Sequence, residues 1–167
     1  MIFGIIGPVR KCTPLPNDMP DALYGFRVVV YGRYAYVFDS GHSSRTSTHF
    51  FDFRWKQTIH CPMSIDRNYF AAEVKGEYIY IFGGCDNNSN KLSSAERYSI
   101  VTNTWEAALA SMKILRWKHC AEAIGDKIYS VDDSEAILIE VLDAASLRWE
   151  AAIYPRVCQS KGATRTL

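Results

Sequence analysis

Three stretches of this 167-residue chain carry the same landmarks in the same order. A fixed repeat constrains a fold more than any single residue does. A tyrosine closes a strand-like run at Tyr36 in GRYAYVFDS, at Tyr80 in GEYIYIFGG and at Tyr129 in GDKIYSVDD, with spacings of 44 and 49. Gly32, Gly76 and Gly125 stand four residues before them. Trp55, Trp105 and Trp149 follow, with spacings of 50 and 44. Arg67 and Arg116 precede their glycines at equal offsets, Arg27 at a shorter one, and Met63 and Met112 end the first two units.

Each unit holds four short β-like runs. In the central unit they are 70–74, 78–82, 94–99 and 104–108, separated by glycine, asparagine and serine. Lys75-Gly76-Glu77 and Thr102-Asn103 suit hairpin turns. The segment 106–113, EAALASMK, has helix-favouring composition but falls where the repeat needs a strand and then a connector, and the strand reading is kept. Four strands in about 50 residues is the signature of a propeller blade, so the expected class is all-β.

The central unit resembles a kelch repeat: a strand, Gly83-Gly84, Glu96-Arg97-Tyr98, Thr102-Asn103-Thr104-Trp105, Met112 and Arg116. The first and third units match that pattern more loosely, and the resemblance runs from Arg27 to Ala152. It implies about three four-stranded antiparallel β-propeller blades in an incomplete ring. The layout is a blade remnant and linker at 1–26, repeats at 27–66, 67–115 and 116–153, and a tail at 154–167. Cys12 in the remnant stands near the usual tryptophan position. In the family, the equivalents of Gly83, Gly84, Glu96, Tyr98, Trp55, Trp105, Trp149 and Arg116 are mostly scaffold. The two glycines explain why the apolar run YIYIF stops where it does. The inner strands of a blade crowd the axis, and glycine permits close approach and positive φ as the chain leaves the strand.

The departures are informative. The diglycine slot is Asp39-Ser40 in the first unit and Asp132-Asp133 in the third. A small acidic cluster that binds a metal is one reading, and a drifted, solvated turn is the favoured one. The first unit is three residues shorter between its last two strands, which calls for a tighter outer turn. Three units fall short of the four to eight blades that close a propeller. The chain is a piece of a longer kelch protein, or copies associate to close the ring, or degenerate blades hide in the ends. The ends are too short for a full blade each, and the first explanation is favoured.

Charge and motifs narrow the function. With 19 basic and 18 acidic residues the net charge is +1, which gives no electrostatic case for nucleic acid or an anionic membrane. The five cysteines form no CxxC pair, and no stretch resembles a signal peptide or a membrane span, so a cytoplasmic setting is expected. His42, His49, His60 and His119 match no zinc spacing, and a scaffold role is expected for His119. GxSxG, HExxH, P-loop and GxGxxG motifs are absent. No catalytic residue, metal or cofactor is expected.

Binding is the better reading. Propellers present their loops as a rigid composite surface. The resemblance implies a protein or peptide partner, often acidic, for which arginine or lysine beside aromatic rings is suited. Arg67, Asn68 and Tyr69 in one connector, and Arg116, Trp117 and Lys118 in the next, have that character. The loops 85–91 and 132–136 add polar rim candidates. The central unit is most similar to the kelch units of BTB–kelch proteins, commonly substrate receptors of ubiquitin ligases. No stretch looks like a BTB, BACK or F-box domain. The expected role is a non-catalytic interaction module in a ligase or cytoskeletal adaptor. The alternatives are a propeller enzyme of the galactose-oxidase-like type and an inactive truncated fragment.

Overall fold

A computed structural model describes residues 26–38, 48–52, 55–59, 63–131 and 138–153. Among these the chain forms twelve strands in three four-stranded antiparallel sheets. The first sheet runs in order through β1 (Arg27–Tyr31), β2 (Tyr34–Phe38), β3 (Thr48–Asp52) and β4 (Trp55–Ile59). The second holds β5 (Ala71–Lys75), β6 (Tyr78–Phe82), β7 (Ala95–Ser99) and β8 (Thr104–Leu109). The third holds β9 (Cys120–Ile124), β10 (Lys127–Val131), β11 (Leu138–Asp143) and β12 (Arg148–Ile153). Strand β5 packs against β1 on one side and β9 on the other. The leading strands of the three sheets are therefore neighbours, and each sheet meanders away from that line as a propeller blade does.

The turns follow from the repeat glycines. Each first hairpin closes with two residues between the paired strand ends, at Gly32, Gly76 and Gly125, with φ of 59°, 60° and 57°. Glycine reaches that conformation without steric cost. The last hairpins of the second and third sheets turn through Asn103 and Leu147, both at φ 56°. The Tyr98 hydroxyl hydrogen-bonds the Asn103 side chain. The first sheet does have the tighter outer turn. Asp52 pairs with Trp55 across two residues, where four separate Ser99 from Thr104 and Asp143 from Arg148.

The apolar run at β6 is buried on both faces. Ile79 and Ile81 join Val29, Tyr36, Phe38 and Phe70 in a core between the first and second sheets. Tyr80 and Phe82 join Ile128, Leu142 and Trp149 between the second and third. The tryptophans bridge the sheets: Trp105 lies 5.8 Å from Phe38 and Trp149 5.1 Å from Phe82, both edge to face. Residues 104–109 are strand and not helix, because pairing with β7 outweighs the helix-favouring composition. Cys12, Asp39-Ser40, Asp132-Asp133 and the chain ends lie outside the described residues.

Candidate interaction surface

Three connections meet at one edge of the sheets: 63–70 before β5, 83–94 between β6 and β7, and 110–119 before β9. The diglycine brings them together. A Cβ on Gly83 would lie 2.5 Å from His119 Cε1 and 2.7 Å from the Arg116 carbonyl. One on Gly84 would lie 2.4 Å from the Asn68 carbonyl. In that space the Gly84 N–H donates to Arg116 O at 2.7 Å, and Asn68 and Cys85 exchange two backbone bonds at 2.8 Å. The Arg116 N–H donates to Leu92 O at 3.0 Å, and the Lys118 N–H to Tyr69 O at 2.8 Å.

Beneath this layer lie two buried ion pairs. Arg67 Nη1 donates to the carbonyls of Gly83 and Ser94 at 3.0 and 2.9 Å, and its Nη2 donates to Glu96 Oε1 at 2.8 Å. Glu96 Oε2 accepts from the N–H and hydroxyl of Ser64 at 2.9 and 3.0 Å. Burial lowers the Arg67 pKa from the usual guanidinium value, with Glu96 opposing. One repeat later, Arg116 Nε donates to Glu140 Oε2 at 3.2 Å, and Glu140 Oε1 accepts the Lys113 N–H at 2.6 Å.

This geometry corrects the expectation for the two arginines. Both are 1 % exposed, so they hold the connectors in place and offer nothing to a partner. The role of Glu140 escapes the motif reading. Its signal is nonetheless present: Glu96 and Glu140 each stand two residues before Tyr98 and Leu142, 44 apart, matching the tryptophan spacing. His119 is also buried, its ring 5.7 Å from that of Phe82. Asn68 is half-buried and engaged through its backbone.

The remaining candidates come together at the surface. Tyr69 and Lys118 occupy the same repeat slot, and both are left-handed, with φ of 54° and 53°. A bulky residue holds that conformation when its surroundings impose it. The bond from the Lys118 N–H to Tyr69 O ties the two together. The Tyr69 and Trp117 rings then stand 5.9 Å apart at 89°, and remain 39 % and 36 % exposed. Lys118 Nζ lies 5.1 Å from the Tyr69 ring centre and 4.7 Å from that of Trp117. Lys91 Nζ lies 5.8 Å from the same indole.

The loop that delivers Lys91 is internally wired. Asp86 Oδ1 accepts the N–H groups of Asn88 and Asn90 at 2.9 and 2.8 Å, and Oδ2 accepts from Asn90 Nδ2 at 2.9 Å. The Asn90 contacts, chiefly, hold the Asp86 carboxyl below its usual pKa. Cys85 is buried, and burial, reinforced by Asp86, pushes its thiol pKa up, which disfavours the reactive thiolate. Among the described residues no group of three or more His, Cys, Asp or Glu is placed to hold a metal ion. No helix among them is long and apolar enough to cross a membrane.

Comparison with known proteins agrees with this architecture. Residues 66–108 match the family model described as the kelch motif. The chain is 31 % identical over 158 residues to an F-box/kelch-repeat protein of Arabidopsis thaliana, with 89 % of this chain and 44 % of that protein covered. The solved structure of YjhT superposes with a TM-score of 0.68 at 15 % identity, covering 86 % of this chain and 55 % of that one. The chain thus spans about half the length of the proteins it matches. The kelch motif at 66–108, the kelch-repeat relative and the three meandering sheets together support a kelch-repeat family for this chain, built as a partial set of propeller blades.

Proposed function

We propose that this chain is a protein-interaction module of the adaptor type, and that it holds an acidic peptide segment of its partner on the surface formed by Tyr69, Lys91, Trp117 and Lys118. The observation that carries the reading is the convergence of two lysines from different connections on one exposed indole. A peptide carboxylate reaching that spot meets two cations, while its apolar neighbours cover Tyr69 and Trp117. The connections beneath are tied by backbone bonds and two buried ion pairs, so little ordering is needed on binding. The kelch motif and a relative whose name joins an F-box to kelch repeats support a substrate-recognition role in a ubiquitin-ligase adaptor. The free thiols of Cys85 and Cys120 suit an intracellular setting.

The test is a panel of fluorescent peptides, acidic against charge-reversed, titrated with the chain at two salt concentrations. Acidic peptides should bind preferentially and more weakly at high salt. The double change Lys91→Glu and Lys118→Glu should remove that preference while leaving the melting temperature unchanged. Equal binding of both peptide classes, or indifference to the double change, would sink the proposal.

A further inference from the structure

Burial alternates along the connection before β9. Met112 and Arg116 are buried and Ile114 is half-buried, while Ser111, Lys113, Leu115 and Trp117 are exposed. The inner residues are fixed: Met112 belongs to the core between the second and third sheets, and the Ile114 N–H and Arg116 Nε both donate to Glu140 Oε2. Leu92 pairs with Arg116 in an antiparallel bridge, which sets Lys91 beside Trp117. Leu115 therefore stands on the outer side with the indole, two residues before it, and is 55 % exposed. The repeat does not require this. One unit earlier, Met63 and Arg67 fill the slots of Met112 and Arg116 and are likewise buried. The slots of Leu115 and Trp117 there hold Asp66 and Asn68. One buried framework thus carries polar outer residues in the first connection, and a leucine and an indole in the second. A single exposed leucine is ordinary, but one continuous with an exposed indole and tyrosine extends a contact surface.

We infer that the acidic peptide segment held at Lys91 and Lys118 carries a bulky apolar side chain two residues from its acid, and that Leu115 receives it; the inference rests on the peptide-binding reading. Both lysines mark the Trp117 end of the surface, with Nζ atoms 5.8 and 4.7 Å from the indole. An extended chain advances about 3.3 Å per residue, so Leu115 and Trp117 present their side chains about 7 Å apart. A peptide lying along the connection matches that step with its own residues i and i+2, which point to one side. A carboxylate at the two lysines then brings a side chain two residues away over Leu115. Leucine, isoleucine, methionine or phenylalanine loses apolar surface to water's exclusion there, and serine does not. Lys113, exposed two residues beyond Leu115, disfavours a basic side chain at the same place. The connection joins the second sheet to the third, so this surface lies between two sheets that the chain itself supplies.

Fluorescent peptides of one length, titrated with the 167-residue chain, test it. Two carry leucine two residues before or two residues after a glutamate. Each has a counterpart with serine for the leucine and another with lysine for the glutamate. One of the leucine–glutamate peptides should bind at least about tenfold more tightly than its serine counterpart. Leu115→Ser should close that gap, and Leu115→Met should keep it. Melting curves of both variants should match wild type, which separates a lost contact from a folding defect. Equal binding of the leucine and serine peptides, or a gap that survives Leu115→Ser, would overturn this inference and leave the acidic-peptide reading standing. Lysine peptides that bind as well as their glutamate counterparts would overturn both.

Discussion

Arg67 Nη2 lies 2.8 Å from Glu96 Oε1 with both side chains closed to solvent, and the pair fixes the connector that carries Tyr69. A buried ion pair adds little over an apolar pair of the same volume, but a widowed partner is costly. Glu96→Ala leaves Arg67 charged and buried, so it should destabilise by about 3–5 kcal/mol. Replacing both residues with apolar side chains of similar size should recover much of that loss. Thermal unfolding of the single and double variants decides the matter. A single variant that melts within about 2 °C of wild type would contradict the account.

The diglycine should tolerate substitution far less well than the hairpin glycines. Gly76 has φ +60° and open space around it, so Gly76→Ala should cost the left-handed backbone penalty of about 1–2 kcal/mol. Gly84 has φ +91°, and an added Cβ would meet Asn68 O at 2.4 Å. Gly84→Ala must push one connection off another, and should cost at least about 3 kcal/mol. It should also loosen the Asn68–Cys85 bonds, visible as faster amide exchange at both residues. Equal costs at the two glycines would mean that close approach is not what holds Gly84.

Phe82 ends β6 against Trp149, with ring centres 5.1 Å apart, at the centre of the core joining the second and third sheets. Phe82→Ala should cost about 3–5 kcal/mol. Because Phe82 belongs to one of two separate cores, near-ultraviolet circular dichroism should lose the signal of the second junction before that of the first. Simultaneous loss would show the three sheets to be one cooperative unit.

The repeat could be read from residues because its landmarks answer to backbone demands. Gly32, Gly76 and Gly125 turn hairpins, and Tyr80 and Trp149 fill the spaces between sheets. The candidate surface was half legible. Tyr69, Trp117 and Lys118 stand out in sequence as basic and aromatic connector residues, and so do Arg67 and Arg116. Nothing local separates a guanidinium that folds inward to Gly83 O and Glu96 from one that points at solvent. That choice depends on Glu96 and Glu140, which stand 29 and 24 residues away along the chain. Likewise Lys91 reaches Trp117 from a different connection, a contact created by the fold alone.

Glu73 supplies a prediction in which pH sets the sign. Its carboxyl pKa is raised, first by burial and then by Glu122 on the neighbouring sheet, against bonds from the backbone at Val74 and Ala123. The folded chain therefore holds this proton at a pH where the unfolded chain has released it. Stability contributed by the group is complete below the unfolded carboxyl value of 4.5, and is lost as pH rises from there through the raised folded value. At neutral pH the ionised Glu73 is a liability. Glutamine cannot ionise, and its carbonyl oxygen can keep the backbone bonds. Glu73→Gln should raise the melting temperature at pH 7 and leave it unchanged near pH 3.5, about one unit below the unfolded carboxyl value. Glu73 is partly open to solvent, so the gain is at most about 1 kcal/mol. Glu122→Gln should act in the same direction through relief of repulsion. Melting curves of the three proteins across that range test the sign, and a Glu73→Gln variant less stable than wild type at pH 7 would show that the charged carboxylate is favoured by the fold.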